Sequence, residues 1–241
     1  MNLSPPTERR LNLPATSELA YPEMSRIAVE FSKIRPYNGA RLIMADPPWN
    51  FGLWSENGAG RSPTAHYDCQ GLDWIKALPV DVLAGKNCLL WLWATNPMLP
   101  QALEVIEAWG FTFKTAGTWV KRTVHGANCF GGGYIFRSAN EPILIATRGR
   151  VKVAERSIRS ILSDFGGGAA EMLHEQDPLR SLGFTIEARR REHSRKPDLA
   201  YATARRLVPT GTGIDLFSRE HRPGWTSWGN EAGKFNLEID K

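Results

Sequence analysis

Two consecutive prolines placed directly after a short apolar run limit this chain more than any other feature. Arg41–Ala45 supplies Leu42, Ile43 and Met44 for a buried strand, and Asp46-Pro47-Pro48-Trp49 ends it, because neither proline has an N–H to extend a ladder. The strand therefore stops with an aspartate at its carboxyl end. A second apolar run, Asn87–Ala94, is closed similarly by Thr95-Asn96-Pro97. From Pro97 to Trp109, Leu99, Ala102, Leu103, Val105, Ile106 and Trp109 recur at helical spacing, and Gly110 stands where a left-handed cap would sit. Phe111–Lys121 and Glu141–Thr147 supply two further strands around a loop holding Gly131, Gly132 and Gly133. Phe184–Ala188 reads as another strand, Pro197–Leu207 as a helix with proline in its first turn, and Gly213–Phe217 as a final strand.

Strands alternating with helices predict an α/β fold, a mostly parallel sheet with helices on both faces, and such sheets bind ligands beyond the carboxyl ends of their strands. Two polar segments follow strands in this way, Asp46–Trp49 and Ser218–His221. Residues 1–36, rich in proline, serine and charge and of weak periodicity, read as a partly ordered N-terminal arm with the core starting after it. A single domain over 37–241 follows, with 155–180 and their Gly166–Gly168 run as a surface excursion.

Cys69, Cys88 and Cys129 are far apart, with no C-x-x-C pair and no histidine at ligand spacing, which points away from a disulfide framework or a zinc site and towards a reduced, cytoplasmic protein. The first residues lack the apolar stretch of a signal peptide, and no apolar run approaches the roughly 20 residues that span a bilayer. A membrane partner is not expected. A formal charge of +5 fits a polyanionic partner without demanding one.

Asp-Pro-Pro-Trp at a strand end has a specific chemical use. The exocyclic nitrogen of adenine is a poor nucleophile because its lone pair is delocalised into the ring. A carboxylate oxygen of Asp46 and the carbonyl oxygen of Pro47, each accepting one amino hydrogen, would draw that nitrogen towards tetrahedral geometry and aim its lone pair. The stiff Pro47-Pro48 pair fixes the carbonyl in advance. Trp49 offers a ring on which a base extruded from a duplex can stack. As a bare tetrapeptide the run reads equally well as a turn with Trp49 in the core.

The context goes further. Leu42–Trp49, Leu78–Val80, Leu90–Asn96, Trp109–Phe111, Trp119–Lys121, Glu141 with Arg148 and Gly149, His193–Asp198, Asp215–Arg219 with Pro223–Trp225, and Trp228–Asn230 together resemble the beta-class adenine-N6 methyltransferases. That family includes the catalytic mRNA adenosine methyltransferase subunit and many bacterial and phage DNA enzymes. The resemblance implies a Rossmann-like methyltransferase fold of permuted motif order, with the catalytic segment ahead of the main cofactor segment, and S-adenosylmethionine as cofactor. It implies that Asp46, Pro47, Pro48 and Trp49 hold the target base, with Asp46 also close to the cofactor. Lys196 matches the lysine that meets the cofactor's methionine carboxylate. Ser218, Arg219, His221, Asn230 and Glu231 fall around its ribose and adenine, although Glu231 stands where the family carries glutamine and Arg222 replaces an asparagine of the mRNA enzyme. Tyr67, beside His66, falls in a loop that closes on substrate, and Glu141 in an organising position at the substrate side. Arg189, Arg190, Arg191 and Arg195 read either as a solvated face or as phosphate contacts.

The reading is adenine-N6 methylation of DNA by direct displacement, with no metal and no covalent enzyme intermediate. Methylation of RNA adenosine is the nearest alternative, since a base pocket does not report the sugar. A protein glutamine methyltransferase and a non-catalytic nucleic-acid-binding subunit are the others. Nucleic acid is the expected partner, and a homodimer or a heterodimer fits equally.

Overall fold

The computed structural model describes residues 21–50, 71–123, 127–133, 135–163 and 195–234. In chain order these form α1 (Tyr21–Ile34), β1 (Ala40–Ala45), α2 (Leu72–Ala77), α3 (Val80–Leu83), β2 (Ala84–Trp93), a 3-10 turn at Asn96–Met98, α4 (Leu99–Ala108), β3 (Thr112–Val120), β4 (Asn140–Arg148), β5 (Ile161–Ser163), α5 (Asp198–Leu207), β6 (Gly213–Leu216) and β7 (Trp225–Trp228). The strands make one 7-stranded sheet in the order β5-β3-β4-β2-β1-β6-β7. β1 pairs in parallel with both β2 and β6, β6 with β7 and β3 with β5, whereas β4 runs antiparallel to β2 and to β3. β4 is reversed because it follows β3 as a hairpin partner, and the described residues between them include no crossover helix to turn the chain back.

Alternation along β1 divides the core into two layers. Ile43 and Ala45 join Ile27 and Phe31 of α1, Ile75 of α2, Val80 of α3 and Val105 of α4 on one face. Leu42 and Met44 meet Trp91, Trp119 and Ala204 of α5 on the other. Apart from Arg41, β1 is buried, as is most of β2, as apolar strands covered by helices on both sides must be. α4 carries proline in its first turn and ends at Gly110, whose φ of 76° is the left-handed cap. Its following indole, Trp109, donates to the Ile75 carbonyl at 2.9 Å and ties α4 to α2.

The core begins earlier than the sequence reading sets it. α1 lies inside the segment taken as an arm, and Phe31 meets Trp228 of β7 edge to face at 5.0 Å while the Trp228 indole donates to Glu30. Residues 155–180 contribute β5 before the described residues end, and Phe184–Ala188 lies outside them. In the Gly131–Gly133 loop the Gly131 N–H donates to the Ser138 carbonyl at 2.9 Å, and a Cβ on Gly133 would come within 1.9 Å of the Phe136 carbonyl oxygen. Among the described residues no helix is long and apolar enough to cross a membrane.

Candidate active site

The chain leaves β1 towards β2 on one side and β6 towards β7 on the other, so the carboxyl ends of β1 and β6 flank a topological switch point, where open α/β sheets form a crevice. The Asp46 N–H donates to the Leu216 carbonyl at 3.3 Å, which carries the parallel ladder one residue past β1 and sets the aspartate at the crevice wall. On the β6 side, Phe217 takes a φ of 63°, a left-handed conformation that costs a bulky residue about 1–3 kcal/mol. Its ring is held by Trp74 and Trp228, and the Ser218 N–H is fixed by the Trp228 carbonyl at 3.1 Å. The sharp exit turns Ser218 and Arg219 into the crevice, which Asp46, Lys196 and Asp215 also line.

Lys196 sits immediately before α5 and bridges two carboxylates. Its ammonium is 2.9 Å from Asp46 and 3.0 Å from Glu141, and lies 5.2 Å from the centre of the Trp93 ring. Lys121, at the end of β3, reaches the other Glu141 oxygen at 2.5 Å. Burial opposes the charge of Lys196, but the two carboxylates outweigh it and hold the ammonium well above the usual lysine range. Burial also opposes ionisation of Glu141, which Lys196 and Lys121 nevertheless bring down to about 2. Asp46 is raised: its burial and the neighbouring Glu141 charge exceed what Lys196 restores.

A second network lies across the crevice. Asp215, buried in β6, accepts the Tyr201 hydroxyl at 3.0 Å and has the Ser218 hydroxyl at 2.8 Å, yet burial pushes it up to about 7. Glu220 takes a two-pronged contact from Arg195, at 2.8 and 3.0 Å, and a further bond from Arg222 at 2.7 Å. The Arg222 guanidinium stacks 3.8 Å from the centre of the Tyr201 ring. Arg219 is 2.6 Å from Glu231, which pairs onward with Lys234.

The structure thus brings together Asp46, Lys196, Glu141, Ser218, Arg219 and Glu231. His221 and Asn230 are exposed and do not line the crevice. Trp49 departs from the stacking role: only 3 % exposed, it packs in the core and its indole donates to the Trp93 carbonyl at 3.0 Å. It braces the end of β1 against the end of β2, because the turn after Pro48 directs the ring inward. The Pro47 carbonyl already accepts the Trp49 N–H at 2.8 Å and keeps its second lone pair. Arg195 is engaged by Glu220, which narrows its role as a phosphate contact. Tyr67 with His66, and Arg189–Arg191, lie outside the described residues. Sequence reasoning gave no role to Asp215, Tyr201, Glu220 or Lys121, although Asp215 and Lys121 fell in segments carrying the resemblance and Glu220 in the polar Ser218–His221 segment; an acidic residue inside the apolar Gly213–Leu216 run was a further signal for Asp215.

Donors and acceptors of both signs converge here: the Lys196 ammonium, the guanidiniums of Arg195, Arg219 and Arg222, the hydroxyls of Tyr201 and Ser218, and the carboxylates of Asp46, Asp215 and Glu220. Such a set complements a zwitterionic amino-acid group next to a further cation and sugar hydroxyls. Fold and crevice together define an α/β Rossmann-like methyltransferase. The site segments fall inside residues 40–231, which match the MT-A70 family model. The chain belongs to the MT-A70 family. It is similar to the Type II methyltransferase M.MunI of a Mycoplasma species, 25% identical over 85% of this chain and 82% of that protein. It is also similar to the human N(6)-adenine-specific methyltransferase METTL4, 27% identical over 89% of this chain but only 43% of the human protein. The N6-methyladenosine RNA methyltransferase MTA1 of Cryphonectria parasitica is 28% identical over 80% of the chain and 52% of its own length.

Proposed function

We propose that this protein transfers a methyl group from S-adenosylmethionine to N6 of an adenine extruded from DNA. The observation that carries the reading is Asp46, fixed at the switch-point crevice by Lys196, with the spare lone pair of the Pro47 carbonyl beside it. Bound in the crevice, S-adenosylmethionine supplies an electrophilic methyl group. Lys196 would hold its carboxylate, Asp46 and Asp215 would face its cationic centres, and Ser218 and Arg219 would hold its sugar.

The Asp46 carboxylate and the Pro47 carbonyl each accept one hydrogen of the adenine amine and orient its lone pair, a preorganised arrangement worth about 10²–10³ in rate per lost contact. The proton released after transfer passes to Asp46 or to water. Lys196 keeps Asp46 oriented while Glu141 keeps Lys196 oriented. Trp49 contributes by bracing the Asp46 turn against β2.

DNA is favoured over RNA by the match along most of M.MunI. The match to MTA1 supports RNA as the second reading. The test incubates purified protein and labelled S-adenosylmethionine with duplex DNA, denatured DNA and RNA, followed by digestion and separation of N6-methyladenine. Asp46→Asn is expected to keep the fold and lower transfer by about 10²–10³-fold. A variant that folds and still transfers at the wild-type rate overturns the role of Asp46, and label found in protein alone overturns the proposal.

A further inference from the structure

The hairpin between β3 and β4 carries a surface that the methyl-transfer site does not use. It leaves β3 at the same sheet edge as Asp46, and its root is joined to the site by the chain of contacts Lys121, Glu141, Lys196, Asp46. β4 and β1 are separated by one strand, β2, so the hairpin rises about 10 Å from the end of β1. At its tip three large apolar side chains face solvent: Phe130 is 75% exposed, Ile135 90% and Phe136 87%. Gly133 backs directly onto the Phe136 carbonyl, where no side chain fits, and the Gly131 N–H donates to the Ser138 carbonyl at 2.9 Å. Arg137 lies over the Phe130 ring at 5.1 Å.

Charge identifies the occupant. The hairpin segment 121–140 has no acidic residue, while Lys121 and Arg122 at its root and Arg137 near its tip are basic. Apolar tips on a stretch without acidic residues suit a polyanion with an apolar interior, and a base stack is such a partner. We infer that Phe136, with Ile135, is a wedge that enters a nucleic-acid duplex and fills the gap left when the target adenine moves to Asp46. This rests on the proposed function. A side chain inserted at that step substitutes for the lost stacking and slows return of the base.

The test compares methyl transfer by wild type and by an Ile135→Ala/Phe136→Ala double variant, using unmethylated linear plasmid DNA either as duplex or heat-denatured. The variant is expected to lose about tenfold or more on the duplex while staying within about twofold of wild type on denatured strands, where no gap needs filling. Phe136→Leu, still apolar, should recover most of the duplex rate. Equal losses on both substrates, no loss on either, or a wild type that labels only denatured strands would overturn the wedge. So would a change in oligomeric state of the variant by light scattering, which would make the tip an interface between copies. A wild type that methylates no nucleic acid fails the proposed function instead, so the two failures are distinct.

Discussion

Lys196 neutralises two partly buried carboxylates at once, so its removal is not equivalent to loss of a surface charge. With Lys196→Met, Asp46 and Glu141 face each other without a shared cation, and about 3–5 kcal/mol of stability should be lost near neutral pH. Protonation relieves that repulsion, so the deficit should shrink as pH falls towards the carboxylate range. Urea unfolding at two pH values measures it, and a deficit independent of pH would contradict the bridging role. Asp215 makes the opposite kind of demand. Its folded value of about 7 lies above the 3.8 of a free aspartate, so between those values the native state holds a proton that the unfolded chain has released. Stability from this group therefore falls as pH rises through that window. Asp215→Asn, which retains an acceptor for Tyr201, should remove that slope, and parallel stability curves for variant and wild type would refute it. At this scale Asp46 was legible because a strand end and the prolines after it announce it, and Lys196 through the resemblance carried by His193–Asp198. The contact of Lys196 with Glu141 was not, since Glu141, placed only by resemblance, reaches it from β4 and is itself held by Lys121 after β3, two strands whose order in the sheet no local pattern reveals.

At the level of elements, β1, β2, α4, α5 and β6 follow from apolar runs and helical spacing in the sequence. α1 escaped because its buried positions are few, chiefly Ile27 and Phe31, and proline, serine and charge surround them. β7 escaped because all four of its residues are only partly buried at a sheet edge, which leaves no alternation to read. The reversed β4 is a matter of connection rather than composition. α1 is nonetheless structural. Phe31→Ala removes a fully buried ring from its contact with Trp228 and should cost about 3–5 kcal/mol. A loss below about 1 kcal/mol in denaturant unfolding would mean that α1 is a detachable arm after all.

For the whole molecule, the mostly parallel sheet and its ligand crevice were inferable from alternation of strands and helices, and the two faces of helices were as well. What alternation does not supply is which strands become neighbours at the switch point. That neighbourhood is made by β1 and β6, which pair Leu42 with Gly213 across most of the chain, and the site straddles their junction. Contacts of such long sequence separation form late, because the entropy of closing the loop is lost before the contacts repay it. Catalysis should therefore be the last property to return on refolding: after dilution from urea, the helical circular-dichroism signal should recover ahead of methyl transfer. Simultaneous recovery would show that β6 docks with the earliest structure. The seam between these two strands is thus a kinetic checkpoint as well as a binding crevice, since a chain that has not completed this long closure has no active site to misuse.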